Sequence, residues 1–197
     1  MNGKRSSSEE RSGIRNLPEG PLLRAARDGS LPAYGELVRR HQTALRQLLR
    51  RLCGNAADAD DIAQDAFLRG WSRIDQIRQF EAFKPWLFKI ALRTMADVQK
   101  SGRRSRMRDT SWFADQEQQG DDRETGLARM DVEQALAQLP DRERLVASLV
   151  FGAGFSHSEV SDMTGIPLGS VKTCARRARD MLTQALAKWG EGREVQS

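Results

Sequence analysis

A strongly acidic segment with little apolar content divides this chain of 197 residues. Between Asp109 and Asp131, seven acidic residues stand against two arginines, a net charge of −5. Such a segment cannot bury enough apolar surface to fold alone, so we interpret residues 107–130 as a flexible acidic linker. The polar residues 1–18 and 189–197 are predicted to be tails, the first of them mobile. The sequence therefore predicts two small helical domains, not one large core.

Composition excludes several classes of protein. No run approaches the roughly 18 apolar residues of a membrane span, and no apolar stretch follows the basic residues at the N-terminus. Cys53 and Cys174 are the only cysteines, and His41 and His157 the only histidines. They are too few for a zinc quartet or a disulfide framework, although a single bridge remains an open alternative. We expect an all-α, cytoplasmic protein without a metal site or a cofactor.

The N-terminal domain is predicted over residues 19–106. Ser30 is predicted to cap a first long helix that Gly54 ends. A second helix is expected over about 56–74, and a third over about 83–100.

The C-terminal domain is predicted over residues 131–188 and carries the strongest local motif. Ser156 and Glu159 form a capping box, and the short helix that they open ends at Gly165. A longer helix follows from about Leu168. Two helices joined by a tight turn with glycine are typical of a helix-turn-helix.

The last helix is amphipathic and basic. Residues 168–188 carry five cations and one acid, a net charge of +4. Val171, Ala175, Ala178 and Leu182 share one face, and polar and cationic side chains lie opposite. That pattern favours a helix that reads the major groove of DNA, although a solvated surface helix would look similar. The polar candidates are Lys172, Thr173, Arg176 and Arg177.

A second basic stripe begins on the third helix. Residues 89–108 carry seven cations and one acid, a net charge of +6. Trp86 heads a face with Lys89, Arg93, Asp97 and Lys100. An aromatic ring beside cations suits single-stranded nucleic acid, whose bases stack while its backbone is neutralised. Phe80, Phe83 and Trp86 could equally pack the core.

The second helix carries the opposite charge on one face. Asp58, Asp61 and Asp65 lie opposite its apolar residues. Acidic side chains near a helix N-terminus interact favourably with the helix dipole, and a polar face is ordinary for a surface helix. The functional alternative is an acidic docking stripe for a basic partner.

Three segments together resemble a bacterial sigma factor of the sigma-70 family, in the extracytoplasmic-function (ECF) group. Residues 58–67 (DADDIAQDAF) resemble its core-polymerase-binding helix. Residues 86–91 (WLFKIA), followed by Asp97, resemble the helix that opens the −10 promoter element. Residues 165–172 (GIPLGSVK) with 176–179 (RRAR) resemble the helix-turn-helix that reads the −35 element.

The resemblance implies roles for particular residues. Those implied to bind core polymerase are Asp58, Asp61, Gln64 and Asp65. Those implied at the melted −10 strand are Phe80, Phe83, Trp86, Lys89, Arg93, Lys100, Arg103 and Arg104. Those implied at the −35 duplex are Ser170, Lys172, Thr173, Arg176 and Arg177. The family commonly has Asn in place of Arg93 and Arg in place of Cys174, so base preferences can differ there.

The expected function is that of a non-catalytic specificity subunit. It would direct RNA polymerase core to −35 and −10 promoter elements and help to melt the DNA, and the resemblance implies an anti-sigma factor as a further partner. One alternative is a stand-alone helix-turn-helix regulator. A second, an enzyme acting on nucleic acid, would need a catalytic cleft that the acidic stripe does not suggest.

Overall fold

The computed structural model describes residues 13–77, 83–106 and 132–194, with side chains at 13–77, 83–100 and 132–187. Within these ranges the regular structure is helical, and no strand occurs. The main helices are α1 (Glu19–Arg27), α2 (Leu31–Cys53), α3 (Ala56–Ser72), α4 (Phe83–Arg106), α5 (132–137), α6 (Asp141–Ala147), α7 (His157–Thr164) and α8 (Leu168–Glu194). The prediction of an all-α chain with two helical domains is confirmed. The proposed linker over 107–130 lies outside the described residues.

Capping residues fix the ends of α2 and α3. Ser30 Oγ accepts a hydrogen bond from the Ala33 amide at 3.4 Å, as its position before Pro32 predicted. Gly54 ends α2 with a φ of +69°, a conformation that costs glycine little. Asn55 then caps α3, accepting from the Ala57 amide at 2.8 Å. This tight connection sets α2 and α3 side by side.

A cluster of two arginines around the buried Glu36 holds the chain that precedes α1. Glu36 accepts hydrogen bonds from Arg39 and Arg40 at 2.7–2.8 Å. Arg40 also donates to the carbonyl oxygens of Arg15 and Leu17, at 2.8 and 2.7 Å. The expected mobile tail over 1–18 therefore needs a correction, because its last residues are bonded to α2.

The C-terminal helices form the predicted helix-turn-helix. Ser156 Oγ accepts from the Glu159 amide at 3.3 Å, and Glu159 accepts from the Ser156 amide at 2.8 Å, completing the capping box. Gly165 ends α7 with a φ of +74°. Between α6 and α7, residues Ser148–Gly152 form a π-helical turn that the sequence pattern did not predict.

The two sets of helices share one hydrophobic core, so the expectation that each has a separate small core is wrong for this arrangement. Phe83, Leu87 and Phe88 of α4 are fully buried in the same cluster as Leu149 and Phe155 of the C-terminal helices. A smaller cluster joins α5 and α6 to α8. No helix in the described ranges is long and apolar enough to cross a bilayer.

Candidate polymerase-binding and nucleic-acid-binding surfaces

The acidic stripe lies along a groove between α3 and α4. The groove has a volume of about 440 Å³ and is lined by Asp58, Asp61, Ile62, Gln64, Asp65 and Val98. All four polar members of the predicted set are exposed. Leu68 is 61% exposed one turn beyond Gln64, and Val98 is 45% exposed on the facing helix. The stripe thus combines negative charge with exposed aliphatic carbon, a combination that suits a basic amphipathic helix.

Ion pairs occur beside the stripe on α3, and one of them includes its member Asp65. Asp60 faces Arg46 and Arg50 of α2, at 3.7 and 3.1 Å, and is therefore occupied within the protein. Arg69 lies 3.8 Å from Asp65 and 3.6 Å from Asp97, and so links α3 to α4.

The basic side chains of α4 share one face, as predicted. Arg93 and Lys100 are exposed, and Lys89 is half-buried. Thr94 points the other way and donates to the Ile90 carbonyl at 3.0 Å. The backbone of α4 continues through Arg103 and Arg104, whose side chains lie outside the described residues.

Two of the three predicted aromatic contacts can be placed. Phe83 is 0% exposed and packs between His41, Tyr34 and Trp86, with ring centroids at 5.4–6.5 Å. The assignment of Phe83 to a DNA strand is therefore wrong for this arrangement, because its ring has no free face for a base. Trp86 is half-buried and retains accessible surface. Phe80 lies outside the described residues.

Side-chain hydrogen bonds fix the turn of the helix-turn-helix. Ser161 Oγ donates to the Ile166 carbonyl at 2.7 Å, and Thr164 Oγ1 donates to the Val160 carbonyl at 2.6 Å. Thr164 Oγ1 also accepts from the Ile166 amide at 3.3 Å. These bonds satisfy backbone groups at the end of α7 and set the direction in which α8 begins.

The start of α8 separates a packed face from a polar face. The packed face consists of side chains that are at most 5% exposed: Val171, Cys174, Ala175 and Ala178. Four polar side chains of this helix are exposed: Lys172, Thr173, Arg176 and Arg177. Ser170 is half-buried. Thr173 Oγ1 donates to the Gly169 carbonyl at 2.9 Å, and Arg177 lies 3.9 Å from Glu143. Four exposed polar side chains near the start of a helix can reach base edges and phosphates.

The structure adds cations that sequence reasoning missed. Lys84 Nζ donates to the Ala153 carbonyl at 2.6 Å, and Arg51 pairs with Glu133 at 2.9 Å. Both contacts join the N-terminal helices to the C-terminal helices. Only the three-dimensional packing shows them, because the partners lie 69 and 82 residues apart.

Comparison with known proteins agrees with this geometry. The family model of sigma-70 region 2 matches residues 37–106, which include the groove and the start of the basic stripe. The model of sigma-70 region 4 matches residues 135–184, which include the helix-turn-helix.

Individual relatives extend over most of the chain. The RNA polymerase sigma factor NccH of Alcaligenes xylosoxydans xylosoxydans is 33% identical over 84% of this chain and 92% of that protein. The structure of CnrH with the cytosolic domain of CnrY has 29% identity and a TM-score of 0.63, covering 86% of this chain and 97% of that chain. The fold also resembles the sigma factor RpoE of Bartonella quintana, solved with the anti-sigma factor NepR. That match has 23% identity and a TM-score of 0.70 over 78% of this chain and 96% of that chain.

These helices and matches define a transcription initiation factor with a polymerase-binding region and a DNA-reading region. The chain belongs to the sigma-70 family of RNA polymerase sigma factors, and further matching relatives are named ECF sigma factors. The presence of both regions favours this class over a stand-alone helix-turn-helix regulator.

Proposed function

We propose that this sigma factor docks on core RNA polymerase through the acidic stripe of Asp58, Asp61, Gln64 and Asp65. The observation that carries the proposal is the groove itself, where carboxylates flank exposed Val98, with exposed Leu68 one turn beyond Gln64. A basic partner helix would bury these aliphatic groups and neutralise the carboxylates, so apolar and electrostatic terms act together.

The two basic faces would then engage the promoter. Trp86, Lys89, Arg93 and Lys100, with Arg103 and Arg104 further along α4, would hold the unpaired −10 strand by stacking and phosphate neutralisation. The polar face of α8 would read the −35 duplex in the major groove. Stacking of an unpaired base on the protein contributes on the order of 1–3 kcal/mol per base, which offsets the cost of unpairing. Melting therefore needs no catalytic group.

We also propose an inhibitory protein partner, a cytoplasmic location and a role without catalysis. The relatives solved in complex with the anti-sigma factor NepR and with the cytosolic domain of CnrY support an anti-sigma factor as a partner that would hold this protein inactive. A factor that works with the polymerase transcribing the chromosome would act in the bacterial cytoplasm. Its contribution would be binding alone, with no enzymatic activity of its own.

Charge reversal in the groove tests the docking step. Asp61→Arg should abolish co-purification with core polymerase and promoter-specific transcription in a reconstituted system, while the circular dichroism spectrum stays unchanged. Asp75→Arg is the matched control, because Asp75 is exposed but does not line the groove. Normal polymerase binding by Asp61→Arg would overturn the assignment.

A further inference from the structure

Glu143 is a buried acidic residue at the start of α6. It is 8% exposed and follows Asp141, the first residue of that helix, by two positions. A carboxylate removed from water needs a cation or hydrogen-bond donors, because an unpaired buried charge is costly. The neighbouring Arg144 is engaged elsewhere, since it pairs with Asp141 and donates to the Ala137 carbonyl at 3.2 Å. The cation that faces Glu143 comes from another helix.

That cation is Arg177, on the helix assigned to the −35 duplex. Arg177 Nη1 lies 3.9 Å from Glu143 Oε1. Helices α6 and α8 pack against each other, and Ala147 and Ala178 of these helices are buried in one cluster. The two charged side chains differ in exposure, at 11% for Glu143 and 65% for Arg177. The pair therefore joins a fixed carboxylate to a guanidinium that still reaches solvent.

The anchored arginine keeps most of its donors free. A guanidinium carries five N–H donors in a planar fork, so a carboxylate beside one nitrogen leaves another edge for a second acceptor. Arg177 follows Ser170 and Thr173 at helical spacing, so the three residues share one stripe of α8. The exposed part of Arg177 thus lies on the stripe expected to face the duplex.

Arg176 provides a contrast at the preceding position. Its side chain is exposed, and no ion pair restrains it within the ranges whose side chains are described. A mobile cation suits a phosphate, which carries no sequence information, whereas a restrained planar fork suits guanine, whose O6 and N7 accept two hydrogen bonds. The two adjacent arginines therefore differ in the contact for which they are prepared.

We propose that Glu143 is a positioning residue that holds Arg177 for a bidentate contact with a guanine of the −35 duplex. The inference rests on the proposed function, which assigns α8 to that duplex. It deepens the assignment by separating a base-reading arginine from a phosphate-binding one. It also places a determinant of sequence preference on α6, outside the helix-turn-helix, in a residue that itself touches no DNA.

The test measures base preference with a pool of duplex DNA whose central segment is randomised. The full chain, alone and assembled with core polymerase, selects duplexes from the pool, and the recovered sequences give the preference at each base pair. Glu143→Gln keeps the shape of the side chain but removes its charge, and Arg177→Lys keeps the charge but removes the fork. Asp180→Asn is the matched control, since it removes an exposed acid from α8 and leaves the Glu143–Arg177 pair intact.

Arg177→Lys should lower the preference for guanine at one base pair by about fivefold or more. Glu143→Gln should lower it at the same base pair by about two- to fivefold, as for a partly exposed ion pair. Its affinity for random-sequence duplex should stay equal or rise, because a negative charge near the DNA is gone. The double variant should be no less selective than Arg177→Lys alone, and Asp180→Asn should leave every preference unchanged.

The results that contradict the inference can be told apart. Unchanged guanine preference in Glu143→Gln would show that Arg177 needs no anchor, and unchanged preference in Arg177→Lys would show that it reads no base. If Glu143→Gln lowered affinity for all duplexes together with the midpoint of thermal unfolding, the carboxylate would serve only the stability of α6. A wild-type chain that selects no sequence in either state would overturn the −35 assignment as well. Failure to assemble with core polymerase would instead contradict the docking proposal.

Discussion

Glu36 is an example of one buried charge that organises a distant segment. Its side chain is 4% exposed, and hydrogen bonds from Arg39 and then Arg40 lower its pKa to about 2. A depressed pKa means that the ionised group stabilises the fold above its ordinary pKa of 4.5. This stabilisation is lost as the pH falls from 4.5 toward 2. Because Arg40 in turn binds Arg15 and Leu17, the carboxylate indirectly positions the chain before α1.

Replacement of Glu36 should therefore be costly at neutral pH. We expect Glu36→Gln to lower the free energy of unfolding by about 1–3 kcal/mol, as for a lost buried hydrogen bond to a charged group. The variant should also show a smaller decline in stability between pH 4.5 and 2. Denaturant titrations across this range provide the measurement, with exposed Asp75→Asn as control. Equal pH profiles for Glu36→Gln and the wild type would contradict the prediction.

Cys53 allows a chemical test of the surroundings of the acidic stripe. Burial, assisted by the negative charge of Asp58, raises the pKa of the Cys53 thiol to about 11. The thiol therefore stays protonated at mildly alkaline pH, and only the thiolate attacks iodoacetamide. In a Cys174→Ala background, Cys53 should be alkylated far more slowly than free cysteine, and Asp58→Asn should speed the reaction. Alkylation at the rate of free cysteine would place the thiol in solvent.

At the scale of helices, Gly70 sets how closely α3 approaches its neighbours. A Cβ atom there would lie 2.7 Å from the Tyr34 hydroxyl, which donates to the Phe67 carbonyl, and 3.7 Å from Trp86. Gly70→Ala should lower the free energy of unfolding by about 1–3 kcal/mol through overpacking.

Gly35→Ala is the matched control inside α2, where nothing lies within 4 Å of the added Cβ atom. It should gain about 0.5–1 kcal/mol from helix propensity. Thermal unfolding of both variants measures the contrast, and a stabilised Gly70→Ala would refute it.

The helix ends could be predicted from sequence because their causes are local. Ser30, Gly54, Ser156 and Gly165 each act within a few residues, through a hydroxyl acceptor or a left-handed backbone. The family could also be predicted, since its motifs follow one another in order. Phe83 shows where this reasoning ends: periodicity marks an apolar face but does not say what covers it. The same holds for Lys84, whose acceptor depends on the packing of distant helices.

Across the whole molecule, charge is segregated although the net charge is only +5. The acidic stripe repels DNA and attracts a basic protein surface, whereas the faces of α4 and α8 attract phosphates. A sigma factor arranged in this way would avoid strong non-specific DNA binding until polymerase neutralises the stripe.

This distribution predicts how salt should affect DNA binding. Affinity of the full chain for random-sequence duplex should fall steeply with salt, because each neutralised phosphate releases a counterion. Arg176→Ala should reduce the slope of log affinity against log salt by about one, as expected for one lost phosphate contact. Arg46→Ala removes the same charge from α2, where it faces Asp60, and should leave the slope unchanged. Fluorescence anisotropy over a salt series measures both slopes. Equal slopes for the two variants would mean that net charge, rather than the exposed face of α8, governs binding.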